Sequence, residues 1–289
     1  MVYLLLSVLF SSSLFVIFKY FDVYKIDTLK AIVVNYLVAF TLGFAITDSQ
    51  VSFVDLPSES WFYGAMILGL LFVMIFFVMA LASQKNGVSV ASVASKMSVV
   101  IPVIFGVWLY DESLSFLKVL GIILALFAVY LSSLKETSKT SLVSSGLILP
   151  LILFLGSGAI DTLLKYIEIN FVKTEEVAVF SGSLFGFAAL FGLFILLVKT
   201  IKKPSPFGFK NLIAGVVLGV PNYYSIVFLI KALQHGGLES SSLFTVNNLA
   251  IVLLSTCIGF LVFKETFSTK NKIGIFLAVL AIVLVASAS

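Results

Sequence analysis

Several polar residues of this chain lie where polarity is costly. Lys96 sits well inside a long apolar run, about nine residues beyond Gly87 and fifteen before Asp111. A charge near a bilayer centre costs at least ~2.5–3.5 kcal/mol on insertion scales, so it normally faces a cavity or a partner. Ser89, Ser92 and Lys96 fall at i, i+3 and i+7, on one helix face. A lysine so placed can receive a carboxylate or phosphate. The alternative is a structural lysine, paired with Asp161 or satisfied by carbonyls of a neighbouring helix. A later run carries Ser241, Thr245, Asn248 and Ser255 on one side. Such residues can line a pathway, or simply hold helices together through hydrogen bonds; for Asn248 and its neighbour Asn247 the two readings stay open. Pro221-Asn222-Tyr223-Tyr224 lies midway along another run. Proline removes a backbone donor and frees a carbonyl, so a kink there can open a pocket in which Asn222 and the tyrosines offer hydrogen bonds and ring faces, or it can serve packing alone. Asn35-Tyr36 is a similar pair. The cavity candidates are therefore Lys96, Ser92, Asn35, Tyr36, Asn222, Tyr223, Thr245 and Asn248. Asp161, near the end of its own run, is the acid best placed for proton coupling or charge pairing.

Other chemistries lack their residues. The chain has one histidine and one cysteine, which makes a His/Cys metal site improbable and excludes an intrachain disulfide. His235, beside Gly236-Gly237, reads as a surface residue in a turn. No Walker sequence supports ATP hydrolysis. No Ser-His-Asp or HExxH grouping exists, so neither an enzyme nor a cofactor is expected. All 18 basic residues are lysine, and without arginine forks or a soluble recognition motif the excess positive charge does not point to nucleic acid.

The elements that must position these residues are membrane helices. Of 289 residues, 61% are apolar and 11% charged, with mean hydropathy +1.18, far from the composition of a soluble domain. The partner of this surface is a lipid bilayer, and the length allows about ten spans of roughly 20 residues. The runs are Val2–Phe18, Lys30–Ile46, Trp61–Ala82, Val88–Leu109 and Leu117–Leu134, then Leu142–Asp161, Glu176–Lys199, Asn211–Leu233, Ser240–Phe263 and Lys272–Ala286. They are too long and unalternating for barrel strands. No positive charge precedes the first run, so it reads as a transmembrane helix and not a signal peptide. Gly64/Gly69, Gly182/Gly186 and Gly215/Gly219 permit close helix approach. Loops after odd-numbered helices hold 13 lysines and those after even-numbered helices 4. Cytoplasmic loops carry the excess, so both termini are expected outside.

The second half repeats the first. Residues 106–131 (GVWLYDESLSFLKVLGIILALFAVYL) align without a gap on 259–284 (GFLVFKETFSTKNKIGIFLAVLAIVL), at an offset of 153 with nine of 26 positions identical. Glu112 matches Glu265 and Gly121 matches Gly274; Pro102 is replaced by Ser255. The repeated glutamates suggest a shared structural task, pairing with lysine or capping the following helix at its N-terminus. An all-α polytopic protein is expected, with ten transmembrane helices in two five-helix repeats, 1–134 and 142–289, joined by a linker at 135–141. Five being odd, the halves enter the membrane from opposite sides, an arrangement used for alternating access.

The pattern of Pro102-x9-Glu112 followed by Gly121, echoed by Glu265 and Gly274, resembles the drug/metabolite transporter superfamily and its EamA-like permeases. The resemblance covers essentially the whole chain. It implies a multi-pass protein of the bacterial cytoplasmic (inner) membrane that exports or exchanges small organic metabolites. Lys96 favours solutes bearing a carboxylate or phosphate, amino acids first. Multidrug efflux and a non-transporting scaffold or sensor are the alternatives. One chain supplies both faces of a cavity, so a monomer suffices. Many relatives look basic in the loop after the second helix. Here that loop is acidic, which implies the opposite insertion and leaves the transport direction open.

Overall fold

The computed structural model describes residues 2–45, 55–110, 115–134, 146–173, 176–235 and 240–287. The expected linker and Glu112 lie outside them. The described residues form helices and no strands. The helices are α1 (Val2–Val23), α2 (Thr28–Ala45), α3 (Phe62–Lys85), α4 (Val88–Met97), α5 (Val100–Tyr110), α6 (Phe116–Ser133), α7 (Ile148–Phe171), α8 (Val177–Lys202), α9 (Phe209–His235), α10 (Ser240–Leu261) and α11 (Thr269–Ser287). A helix satisfies its own backbone in lipid, which is why long apolar runs fold this way. Seven segments among the described residues are long and apolar enough to cross a membrane, and Val119–Ser133 and Val246–Leu261 are shorter apolar helices. Large apolar side chains face outward on several of these helices, as at Leu5, Leu126, Phe194, Leu197 and Phe276. In water that would be an aggregation surface; in lipid it is the solvated face.

Two boundaries differ from the sequence reading. The sixth run extends to Phe171, because residues 165–170 (KYIEIN) end the apolar stretch without a glycine or proline to end the helix. The fourth run is broken at Ser98–Val99, between α4 and α5. Pro102 has no N–H to give the Ser98 carbonyl, and its ring crowds that carbonyl. Ile101 N–H bonds the Ser98 oxygen instead, at 2.9 Å, a tighter i→i+3 closure.

The chain divides into two compact units, each drawing on both halves of the sequence. The first comprises residues 1–20, 78–159 and 224–289. In it α4 packs on α10, α6 and α11, and α6 lies along α11. A side chain on Gly274 of α11 would collide with the Ser132 backbone of α6, so glycine there sets the separation of the pair. The α10–α11 connection and the first turn of α11 then close two helix ends. Glu265 accepts hydrogen bonds at the start of α4, while Asn271 Nδ2 donates to the carbonyls of Leu131, Ser132 and Leu134 at the end of α6. These are groups that a helix cannot satisfy internally.

The second unit comprises residues 21–77 and 160–223. Here α2 packs on α8, with Phe40 and Phe44 seated over Gly186 and Gly182, while Val34 and Val38 meet Gly215 and Gly219 of α9. These pairs do serve close approach, as expected. Trp61 is buried against Phe180. Its indole N–H donates to Glu176 at 3.2 Å, and Lys173 closes on the same carboxylate at 2.9 Å. Lys30 is 3% exposed, its ammonium donating to the Ser205 carbonyl and hydroxyl and the Pro206 carbonyl.

Candidate functional site

In the first unit, Lys96 occupies the last turn of α4, just before the break. A helix C-terminus carries partial negative charge, and a cation there is favoured by about 0.3–1 kcal/mol. The Pro102-induced break thus creates, inside an apolar run, a helix end suited to holding a lysine. Lys96 is partly exposed. The serines of α4 turn inward. Ser92 is fully buried and donates to the Ser89 carbonyl at 3.0 Å, and Ser98 donates to the Ser95 carbonyl at 2.6 Å. Ser92 is therefore satisfied by its own helix and does not present a free hydroxyl.

On α10, Asn248 is partly exposed, whereas Asn247 is 2% exposed and its Oδ1 has no hydrogen-bond partner among the described residues. The hydroxyls of Ser255 and Thr256 are likewise buried without partners among the described residues. The side chains of Ser241, Thr245 and His235 lie outside the described set. Unlike α4–α5, α10 runs unbroken through Ser255, the residue aligned with Pro102.

Glu265 was expected to pair with a lysine or to cap the helix that follows it. It caps α4 of the other half instead. Oε1 accepts the Val88 N–H at 2.6 Å, and Oε2 accepts the Ser89 hydroxyl at 2.8 Å and the Ser89 N–H at 3.4 Å. Gly87, at φ +108°, is in the left-handed region open to glycine. A Cβ there would lie 2.7 Å from the Glu265 carboxylate. The repeat revealed that this glutamate has a structural task; no sequence signal named its partner, since partners 177 residues apart share no local pattern.

In the second unit, two of the expected residues meet. Asn222 Nδ2 donates to Asn35 Oδ1 at 3.1 Å, one residue past Pro221 within α9. Both side chains are buried, and Asn35 Nδ2 has no partner among the described residues. Tyr36 is fully buried between Phe76 and Phe185 and donates to the Phe72 carbonyl at 3.0 Å. It is a packing residue joining α2 to α3. Tyr223 is partly exposed. Asp161 does not stand near a helix end: α7 continues ten residues beyond it, and it is exposed on the surface of the fold.

The apolar exterior and helices of membrane-crossing length define a multi-pass membrane protein. Residues 1–134 match the model of the EamA-like transporter family. An uncharacterized protein of Haemophilus influenzae is 29% identical over 287 residues, covering 96% of this chain and 95% of its own. A solved crystal structure of a protein 15% identical in sequence superposes with a TM-score of 0.59, over 98% of this chain and 94% of that one. At that identity the likeness is one of fold.

Proposed function

We propose that this chain is a secondary transporter of small organic metabolites. It would work by alternating access between two inverted five-helix repeats whose ten apolar segments cross the inner membrane. Lys96 is the contact for a carboxylate or phosphate on the solute, amino acids being the leading class. The observation that carries this reading is the break in α4–α5 immediately after Lys96. Interrupted helices at membrane depth serve substrate and ion sites in transporters, and a scaffold has no use for a charge at such a point. The packing of aligned helices in pairs, α2 with α8, α4 with α10 and α6 with α11, supports descent from one repeated unit. A central cation disfavours cationic drugs as cargo. The lysine bias sets both termini outside, and a single chain carries both repeats, so a monomer is sufficient.

Counterflow in proteoliposomes tests this. Vesicles loaded with unlabelled amino acids, organic acids or sugar phosphates are assayed for uptake of trace label, beside Lys96→Ala. The expected result is counterflow of one anionic class, lost in the variant. Counterflow retained by Lys96→Ala removes Lys96 from the pathway. No counterflow over the panel, from protein shown to be folded, overturns the transporter reading.

A further inference from the structure

The connection between α8 and α9 is only six residues long, 203–208 (KPSPFG). It joins two segments of membrane-crossing length and hydropathy, Val179–Lys202 and Phe209–Leu229. A six-residue turn reaches at most about 10 Å beyond its helix ends, so it lies at headgroup depth.

The turn is built from beneath. Lys30 of α2 is buried, and its ammonium, with three hydrogens to give, has three acceptors there. They are the Ser205 carbonyl at 3.2 Å, the Ser205 hydroxyl at 2.9 Å and the Pro206 carbonyl at 2.7 Å. Pro204 and Pro206 each fix a backbone φ. Asn211 Oδ1, in the first turn of α9, accepts the Asp27 N–H at 3.0 Å, so the start of α2 grips both the turn and the helix that follows it. What this frame presents outward is cationic and apolar together. Lys202, Lys203 and Lys210 are exposed and form no ion pair among the described residues. Asp27 is taken by Lys199 at 3.1 Å, and Asp22 by Lys25 at 3.3 Å. Among the exposed lysines stand Ile201, Phe207 and Phe209, which are 81%, 51% and 73% exposed.

We propose that the α8–α9 turn is a binding site for an anionic phospholipid, whose phosphate meets Lys202, Lys203 and Lys210 and whose acyl chains cover Ile201, Phe207 and Phe209. The combination selects the partner. A soluble anion answers the lysines but leaves three large apolar side chains in water. A lipid without net charge covers the apolar groups but leaves three charges unanswered. Lysines near an anionic membrane surface each strengthen attachment about fivefold, so three together give up to about a hundredfold. Lys30 does not touch the lipid; it is a positioning residue that holds the turn in place. The site uses no residue of the transport reading and binds its lipid whether or not the chain carries a solute.

Native mass spectrometry of the full-length protein, released from detergent, tests this by titration with dioleoyl phosphatidylglycerol and, separately, dioleoyl phosphatidylcholine. The anionic lipid is expected to bind more tightly by about tenfold or more. Replacing Lys202, Lys203 and Lys210 together by glutamine abolishes that preference, and replacing them by arginine keeps it. Lys264, Lys270 and Lys272 are also exposed and serve as the control: their joint exchange for glutamine removes the same charge elsewhere and leaves the preference in place. Lys30→Met alters no exposed charge, yet it frees the turn and lowers the preference severalfold, with helix content by circular dichroism unchanged. If Lys30→Met does not fold, Ser205→Ala, which removes one of the three acceptors, takes its place. Equal affinity for the two lipids, an equal loss from either glutamine triple, or a preference untouched when the Lys30 anchor is removed from folded protein overturns the proposal.

Discussion

Replacing Glu265 by alanine tests how far one side chain secures the start of α4. The carboxylate accepts two close hydrogen bonds, from the Val88 N–H at 2.6 Å and the Ser89 hydroxyl at 2.8 Å, and a long one from the Ser89 N–H at 3.4 Å. Loss of a helix N-cap costs about 0.5–2 kcal/mol, and hydrogen bonds to a charged group are worth about 1.5–3 kcal/mol each. Glu265 lines a cavity of about 410 Å³, so water can reach part of the vacated space and soften the loss. Glu265→Ala is therefore expected to destabilise by about 3 kcal/mol, nearer one strong bond plus a cap than the sum of all three. At about 2–4 °C per kcal/mol for a chain of a few hundred residues, that lowers Tm by roughly 6 °C or more. Glu265→Gln, which keeps an acceptor but not the charge, should lose about half as much. The assay is thermal unfolding in detergent followed by circular dichroism. Ser89→Ala completes a double-mutant cycle with an expected coupling of about 1 kcal/mol. A Tm for Glu265→Ala within about 1 °C of the wild type, or strict additivity with Ser89→Ala, would refute the cap.

Asn222→Ala removes the donor to Asn35 Oδ1 and leaves a buried acceptor unpaired, so it should destabilise by about 1–3 kcal/mol. The double replacement of Asn35 and Asn222 by leucine should cost less than the single alanine; a larger cost in denaturation would count against the pair. The hydrogen bond from Lys173, with a further one from Trp61, holds Glu176 below the ordinary carboxylate range. A carboxylate with a depressed folded-state pKa contributes stability that is complete above its unfolded value of about 4.3 and fades as pH falls through the folded value. The stability gap between wild type and Glu176→Gln should therefore be widest near neutrality and shrink on acidification below about pH 5; a gap that widens toward low pH would contradict the assignment.

Much of the fold was legible because lipid makes hydropathy decisive. Runs such as Trp61–Ala82 and Asn211–Leu233 became α3 and α9 with ends displaced by a few residues. What hydropathy could not show was anything that leaves the apolar character of a run intact. The α4–α5 break falls in Met97-Ser98-Val99-Val100, and its cause, Pro102, lies downstream where it read as a motif residue. The reverse error befell Asp161, which looked terminal because polarity ended the run while the helix went on. Asn35 and Asn222 were found singly, by polar type and by proximity to Pro221. Their bond across 187 positions had no local signature.

The proline in one repeat and serine in the other carry a consequence beyond local geometry. An assembly of two identical five-helix chains would have to present two interrupted helices or none. Fusion into one polypeptide lifts that obligation, and here one helix is interrupted just after a lysine while the aligned one runs without interruption past two asparagines. The two faces of the molecule need not perform equivalent tasks. A Ser255→Pro exchange would return the halves toward equality, and its effect would measure how much this protein depends on their having diverged.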